Sequence, residues 1–180
     1  MPEPLPDVFR PISWEIEVEH IKKLFPDADI QDIEYTGISG ERMIATTIFK
    51  VKWQYLGAAV VSVVRQRYKR EISFIEISTT ETRPECFPDN NPRPKWCRTS
   101  YNEELMSIFK EAREFLSERH GPPVAYKGVG YHQAAGYPPD PREITLKWER
   151  KGFDLFLSIT EGEESDWAVG LSAIRRDLPY

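Results

Sequence analysis

Apolar residues recur with a helical period between Ser100 and Gly121, in the segment SYNEELMSIFKEAREFLSERHG. At about 100° per residue, those within an arc of roughly 120° are Tyr101, Leu105, Ile108, Phe109, Ala112, Phe115 and Leu116. Ser100 and Glu103 have the spacing of a capping box, and Gly121 followed by two prolines ends the segment. The pattern predicts a long amphipathic helix over 101–119 with one buried face.

A shorter helical pattern lies near the amino terminus. Its apolar stripe consists of Trp14, Val18, Ile21 and Phe25. Ser13 is placed to cap this segment and Pro26 to end it. Four prolines within residues 1–12 keep that stretch extended. We therefore expect a second helix over 14–25, preceded by an extended leader or strap.

Elsewhere the apolar period is two, which is typical of strands. The first group of predicted strands covers 30–36, 43–53, 58–67 and 71–79. In the last of these, Ile72 and Phe74 lie on one parity whereas Ile75 and Ile77 lie on the other. This indicates either a bulge or burial on both faces of the strand.

A second group of strands follows the long helix. The segments ITLKWER and FDLFLSIT alternate in polarity on either side of Lys151-Gly152, which predicts a hairpin with Trp148, Phe153 and Leu155 in the core. WAVGLSAIRR, over 167–176, predicts the closing strand.

This order of elements predicts an α+β fold. In it, two amphipathic helices pack on a largely antiparallel sheet, and a helix-then-meander layout occurs twice. The length fits a single α+β domain over 1–180, or two halves over 13–79 and 100–176 joined by the Pro-rich loop 80–99.

The loop 80–99 combines aromatic and basic residues with four prolines. Phe87 and Trp96 suit contact with a partner, although strapping the loop onto its own domain would require the same aromatics. Cys86 and Cys97 also lie here. Two cysteines are too few for a secreted disulfide framework, so free thiols are favoured over a bridge.

The net charge is −5, which argues against a protein that binds nucleic acid by neutralising phosphates. A basic protein or a small molecule is the favoured partner. No signal-peptide pattern and no apolar run of membrane-spanning length occurs, so we expect a cytoplasmic location without membrane contact.

A cluster of acids lies in the predicted turn before the last strand: Glu161, Glu163, Glu164 and Asp166. Such a cluster is typical of a solvated turn, but it also suits a surface that faces a basic protein cleft. We take these residues, with Phe87 and Trp96, as the candidate partner-binding residues.

Motifs for chemistry are weak. Glu17 and His20 have a spacing found among metal ligands on helices, yet the other ligands of such a site are missing, so we expect no metal and no cofactor. Cys86, Cys97 and His132 would be the residues of an enzyme, but their spacing gives no positive support. We therefore expect no catalytic residue.

The Trp-containing first helix, the meander, the long helix ending in GPP and the hairpin ITLKWERKGFDLFLSIT together resemble an uncharacterised bacterial domain family. That family includes small cytoplasmic proteins similar to immunity proteins of polymorphic toxin systems. The resemblance implies a non-enzymatic protein that binds and neutralises a cognate toxin domain, but it assigns no functional residue. The alternatives are a chaperone for an export substrate and an enzyme with an unrecognised Cys/His site.

Overall fold

The computed structural model describes residues 2–37, 39–66, 71–80, 99–126, 140–162 and 166–178. The helical elements are a 3₁₀ turn at Asp7–Phe9, helix α1 at Val18–Leu24 and helix α2 at Glu103–His120. The strands are β1 (Asp29–Thr36), β2 (Arg42–Trp53), β3 (Gly57–Arg65), β4 (Ile72–Thr79), β5 (Val124–Ala125), β6 (Ile144–Arg150), β7 (Phe153–Glu161) and β8 (Trp167–Arg175). The predicted strands are thus confirmed to within two residues at each end.

All of these strands belong to one antiparallel sheet with the order β1-β2-β3-β4-β8-β7-β6-β5. Its centre is the pairing of β4 with β8, where Ile75 lies opposite Ala173 and Ile77 opposite Leu171. All four side chains are buried. The hairpin of β6 and β7 is confirmed, and Trp148, Phe153 and Leu155 lie in the core as predicted.

The predicted layout of two helices packed on the sheet, with a helix-then-meander unit occurring twice, is wrong. The structure is dominated by one continuous eight-stranded sheet, whereas α1 has only seven residues and buries one of them. The hydrophobic pattern marks each strand but does not say which strands become neighbours, because a strand edge can pair with any other that fits. The broader class, α+β, is correct.

Helix α2 covers one face of the sheet near β7 and β8. Its buried residues are Leu105, Phe109 and Leu116, and the remaining members of the predicted stripe are partly buried. The capping box is wrong by two residues: Asn102 caps the helix, and its side chain accepts a hydrogen bond from the Leu105 amide at 2.9 Å. Asparagine is among the best N-cap residues, so the helix begins where this bond forms.

The first helix is shorter than predicted because Trp14 and Ile16 lie in turns before it rather than within it. Both side chains are nevertheless buried. The preceding strap is anchored to the sheet: the Trp53 indole donates a hydrogen bond to the Val8 carbonyl at 2.8 Å. The strap thus contributes Val8, Phe9, Ile12, Trp14 and Ile16 to the core, although its only regular element is the 3₁₀ turn.

The alternation in β4 is explained by a bulge. Val64 pairs with Phe74 while the next residue, Arg65, pairs with Ile72, so Ser73 is the extra residue. Its hydroxyl lies 3.5 Å from the Val64 carbonyl. Of the two alternatives left open by the sequence, the bulge accounts for the change in parity.

Replacing Phe109 by alanine should lower the free energy of unfolding by about 3 to 5 kcal/mol, because a buried aromatic ring is lost and a cavity remains. Urea denaturation followed by circular dichroism measures this. The matched control is Lys110→Ala, an exposed neighbour that should change stability by no more than about 0.5 kcal/mol. Similar values for the two variants would contradict the assigned helix face.

Glu76 lies on the sheet face opposite the core, in the middle of β4. Its register neighbours are Ser62 on β3 and Ser172 on β8. Burial raises the pKa of Glu76, and a hydrogen bond with Ser78 opposes this effect. The folded protein therefore holds a proton at this carboxyl to higher pH than the unfolded chain does.

The raised pKa predicts that Glu76 makes the protein less stable as the pH rises from about 4.5 through the folded-state pKa. Below that window both states are protonated, and the contribution is constant. Glu76→Gln should remove this fall and leave the protein more stable than wild type at pH 7.5. The check is urea unfolding of both proteins between pH 4 and pH 7.5. A wild-type profile parallel to that of the variant would contradict the assignment.

Candidate functional site

The predicted partner-binding residues are only partly described. Glu161 ends β7 and Asp166 precedes β8, where the Asp166 carbonyl accepts a hydrogen bond from the Gly162 amide at 2.7 Å. Both residues are partly buried at the base of the turn. The other predicted residues lie outside the described part of the chain: Phe87, Trp96, Glu163 and Glu164, as do Cys86, Cys97 and His132 of the enzyme hypothesis.

A cavity of about 570 Å³ lies elsewhere, between the amino-terminal segment and the sheet. The residues that line it are Pro2, Trp14, Glu15, Ile16, Glu17, Val18, Glu19, Arg42, Met43, Ile44, Arg65, Glu71 and Arg175. Its size is in the usual range for sites that hold small molecules or side chains of a partner. We call this feature the Arg65 cavity, and it is the candidate functional site.

The Arg65 cavity and the acidic turn lie at opposite ends of β8. Trp167 begins this strand beside the turn, and Arg175 ends it at the cavity. Nine residues of extended chain separate the two places by roughly 27 Å. A single small ligand therefore cannot contact both.

Arg65 is the lining residue with the most unusual environment, because it is a charged side chain and only 8% of its surface is exposed. Its Nη1 donates a hydrogen bond to Thr47 Oγ1 at 3.2 Å. Its Nη2 is buried and has no hydrogen-bond partner within the described ranges. Burial lowers the pKa of Arg65, and the carboxylate of Asp32 opposes this.

A chain of polar contacts extends from Arg65 to the helix above the sheet. The fully buried Thr47 donates from its hydroxyl to Asp32 Oδ1 at 3.0 Å. The other oxygen of Asp32 forms an ion pair with Lys22 Nζ at 3.0 Å. A hydrogen bond to Asp32 is the main reason that the pKa of Lys22 is raised. One partly buried carboxylate is thus paired directly with Lys22 and linked to Arg65 through Thr47.

Arg175 differs from Arg65 in having a carboxylate of its own. Its Nε and Nη2 donate to the two oxygens of Asp177 at 2.9 and 2.7 Å, and this pairing raises the pKa of Arg175. Its guanidinium also lies 6.0 Å from the centre of the Trp14 ring. Trp14 in turn packs edge-on against Phe153, with ring centres 5.5 Å apart. Arg175 therefore fixes one wall of the cavity.

Exposure divides the lining residues into two groups. The exposed rim consists of Glu15, Glu17, Glu19, Arg42 and Glu71, which is four carboxylates against one guanidinium. The buried floor consists of Trp14, Ile16 and Arg65. A cation approaching the opening is attracted by the rim, and an anion that enters meets Arg65.

Sequence reasoning missed Arg65, although a signal was present. Ala59, Val61, Val63 and Arg65 share one parity along β3, and the first three are fully buried. Because alternate residues of a strand face the same side, the fourth member of this series belongs on the core face. An arginine at such a position requires polar partners inside the protein.

Within the described residues, no group of three or more histidine, cysteine, aspartate or glutamate side chains is arranged to hold a metal ion. Glu17 and His20 are both exposed at the start of α1. No helix in the described part of the chain is long and apolar enough to cross a membrane.

Comparison of the chain with family models, with curated proteins and with solved structures finds no match in any of the three. Function is therefore inferred from the residues of the chain themselves.

Replacing Arg65 by methionine should raise the free energy of unfolding by about 1 kcal/mol, because an incompletely paired buried cation is exchanged for an apolar chain of similar length. Urea unfolding at pH 7.5 gives the value. The matched control is Arg175→Met, which should lower stability because Asp177 loses its bidentate partner. A loss of stability in Arg65→Met as large as that in the control would show that Arg65 is fully compensated.

Proposed function

We propose that the protein is a non-enzymatic binding protein of the immunity type, which binds a cognate toxin domain and neutralises it. The observation that supports this most directly is the acidic rim of the Arg65 cavity, where four carboxylates surround an opening. Toxin domains that act on nucleic acid present a basic catalytic cleft, because they must bind phosphates. The negative charge of the rim is complementary to the positive charge of such a cleft.

The rim suits fast association. Glu15 and Glu17 are exposed and lie two residues apart just before α1, so their charges act together on an approaching cation. Charges of this kind raise the association rate more than they raise the final affinity, and salt weakens their effect. An inhibitor that must act before its toxin causes damage gains from a high association rate.

The acidic turn near Glu161 stays a second candidate for the same role. Its distance from the cavity makes the two surfaces separable by mutation. A chaperone for an export substrate and an enzyme that uses Cys86, Cys97 or His132 stay alternative predictions, and no described residue favours either of them over the immunity hypothesis.

The test compares two double charge reversals that change the net charge equally. One is Glu15→Lys with Glu17→Lys at the rim, and the other is Glu163→Lys with Glu164→Lys in the acidic turn. Each raises the formal net charge by 4, from −5 to −1. The partner to be tested is a toxin domain encoded by a neighbouring gene, and the absence of such a gene would count against the proposal. Association is measured by stopped flow at several ionic strengths.

We expect the rim variant to associate about tenfold or more slowly at low salt, and to lose most of its dependence on ionic strength. The turn variant should associate nearly as wild type does. Equal effects of both variants would show that only net charge matters, and an effect confined to the turn variant would move the interface there. If the wild-type chain neither binds nor neutralises the toxin domain, the immunity proposal is wrong.

A further inference from the structure

Arg65 has a hydrogen-bonding capacity that the described residues leave unused. A guanidinium presents five donors in a planar fork, and the Nη2 group of this one is buried without a partner in the described part of the chain. Leaving a charged donor unpaired inside a protein is costly unless an acceptor joins it for part of the time. A ligand oxygen would complete the fork.

The charged residues near Arg65 also leave its guanidinium without a directly paired carboxylate. Asp32 is the carboxylate whose field acts on Arg65, but it contacts Arg65 only through Thr47 and is paired directly with Lys22. Lys22 also contacts Glu19 at 3.3 Å, yet the side chain of Glu19 is 77% exposed and its charge is screened by water. Lys22 is itself partly exposed, so its charge is screened as well. Among the described residues, no carboxylate therefore contacts the buried guanidinium of Arg65 directly.

The residues that line the cavity indicate the polarity and the charge of a ligand that would fit it. Trp14 and Ile16 are buried, while Val18, Met43 and Ile44 are partly buried, so the inner surface is largely apolar apart from its arginines. Arg175 is already satisfied by Asp177. One guanidinium without a carboxylate partner can balance one negative charge on a ligand. The repulsion from the acidic rim grows with each further negative charge that the ligand carries.

We propose that the Arg65 cavity is a binding site for a carboxylate attached to an apolar body. The carboxylate pairs with the guanidinium of Arg65, and the apolar part lies against Trp14 and Ile16. Phosphate esters are disfavoured because the four rim carboxylates repel a dianion more strongly than a monoanion. This site is a separate property of the chain and does not depend on the partner named above.

Two sources supply this chemistry: a free organic acid, and the carboxyl terminus of a peptide that ends in an apolar residue. Both present a planar monoanion next to an apolar group. They differ in the peptide bond that precedes the last residue, which a free acid lacks.

The experiment uses the full chain, four organic probes and inorganic phosphate. The free acid is 3-phenylpropanoate, with 3-phenylpropanamide as its neutral match. The peptide is acetyl-Ala-Ala-Phe with a free carboxyl terminus, and its match is the same peptide with an amidated terminus. Titrations are followed by isothermal calorimetry and by the indole N–H signal of Trp14 in ¹⁵N-edited NMR spectra, assigned with Trp14→Phe.

We expect at least one acid to bind at millimolar concentrations or below and to shift the Trp14 signal. This acid should bind about tenfold or more tightly than its amide, because the amide lacks the charge-assisted hydrogen bond. Tighter binding of the peptide acid would identify a chain terminus as the source, and tighter binding of 3-phenylpropanoate a free acid. Inorganic phosphate should bind more weakly than either.

Three arginine variants complete the test. Arg65→Met should weaken binding of the acid to the level of the amide, whereas Arg113→Met, which removes an exposed arginine of α2 outside the cavity, should change it less than threefold. Arg65→Lys keeps the charge but loses the fork, so an intermediate affinity is expected. If Arg65→Met does not fold, the lysine variant decides. Acids that bind no better than amides, or that bind equally to wild type and Arg65 variants, would overturn the proposal.

Discussion

The pairing of β4 with β8 is the contact on which the rest of the structure depends. Five register pairs, from Phe74 with Ile174 to Ser78 with Gly170, join the four strands before α2 to the four after it. Without them the sheet would have two further edges with unpaired backbone groups. The same pairing places β3 and β8 on either side of β4, and their adjacent ends carry Arg65 and Arg175, the two buried or nearly buried arginines of the cavity.

The bulge at Ser73 is a local feature with a consequence for the site. It allows Arg65 to pair with Ile72 at the end of β3 while the alternation along β3 keeps its side chain on the core face. Bulges are common at strand ends beside functional sites, because they adjust the direction of one side chain without disturbing the remaining register. Here the extra residue is Ser73 on β4, and the residue paired beside it, Arg65, is the one with spare hydrogen-bonding capacity.

A buried arginine with an incomplete set of partners makes a poor contribution to stability. Such residues persist where a function uses them, and the folded state accepts the cost because the surrounding sheet is extensively packed. The floor of the cavity illustrates this balance: Trp14 is held by Phe153 and by its hydrogen bond to the Glu3 carbonyl at 3.1 Å, so the wall beside Arg65 is rigid even though it consists of irregular chain.

The sequence by itself determined the local elements. The apolar period placed α2 and every long strand, and Gly121 marked the end of α2. A helical or extended backbone sets which side chains share a face, and that rule needs only neighbouring residues. It also supplied the parity that puts Arg65 inside. Only the tertiary structure decided that the strands form one sheet and that a strap of irregular chain closes a cavity over Arg65 and Arg175. These contacts join residues up to 161 positions apart in the chain, such as Trp14 and Arg175, and their strength depends on shape and burial that no local pattern encodes.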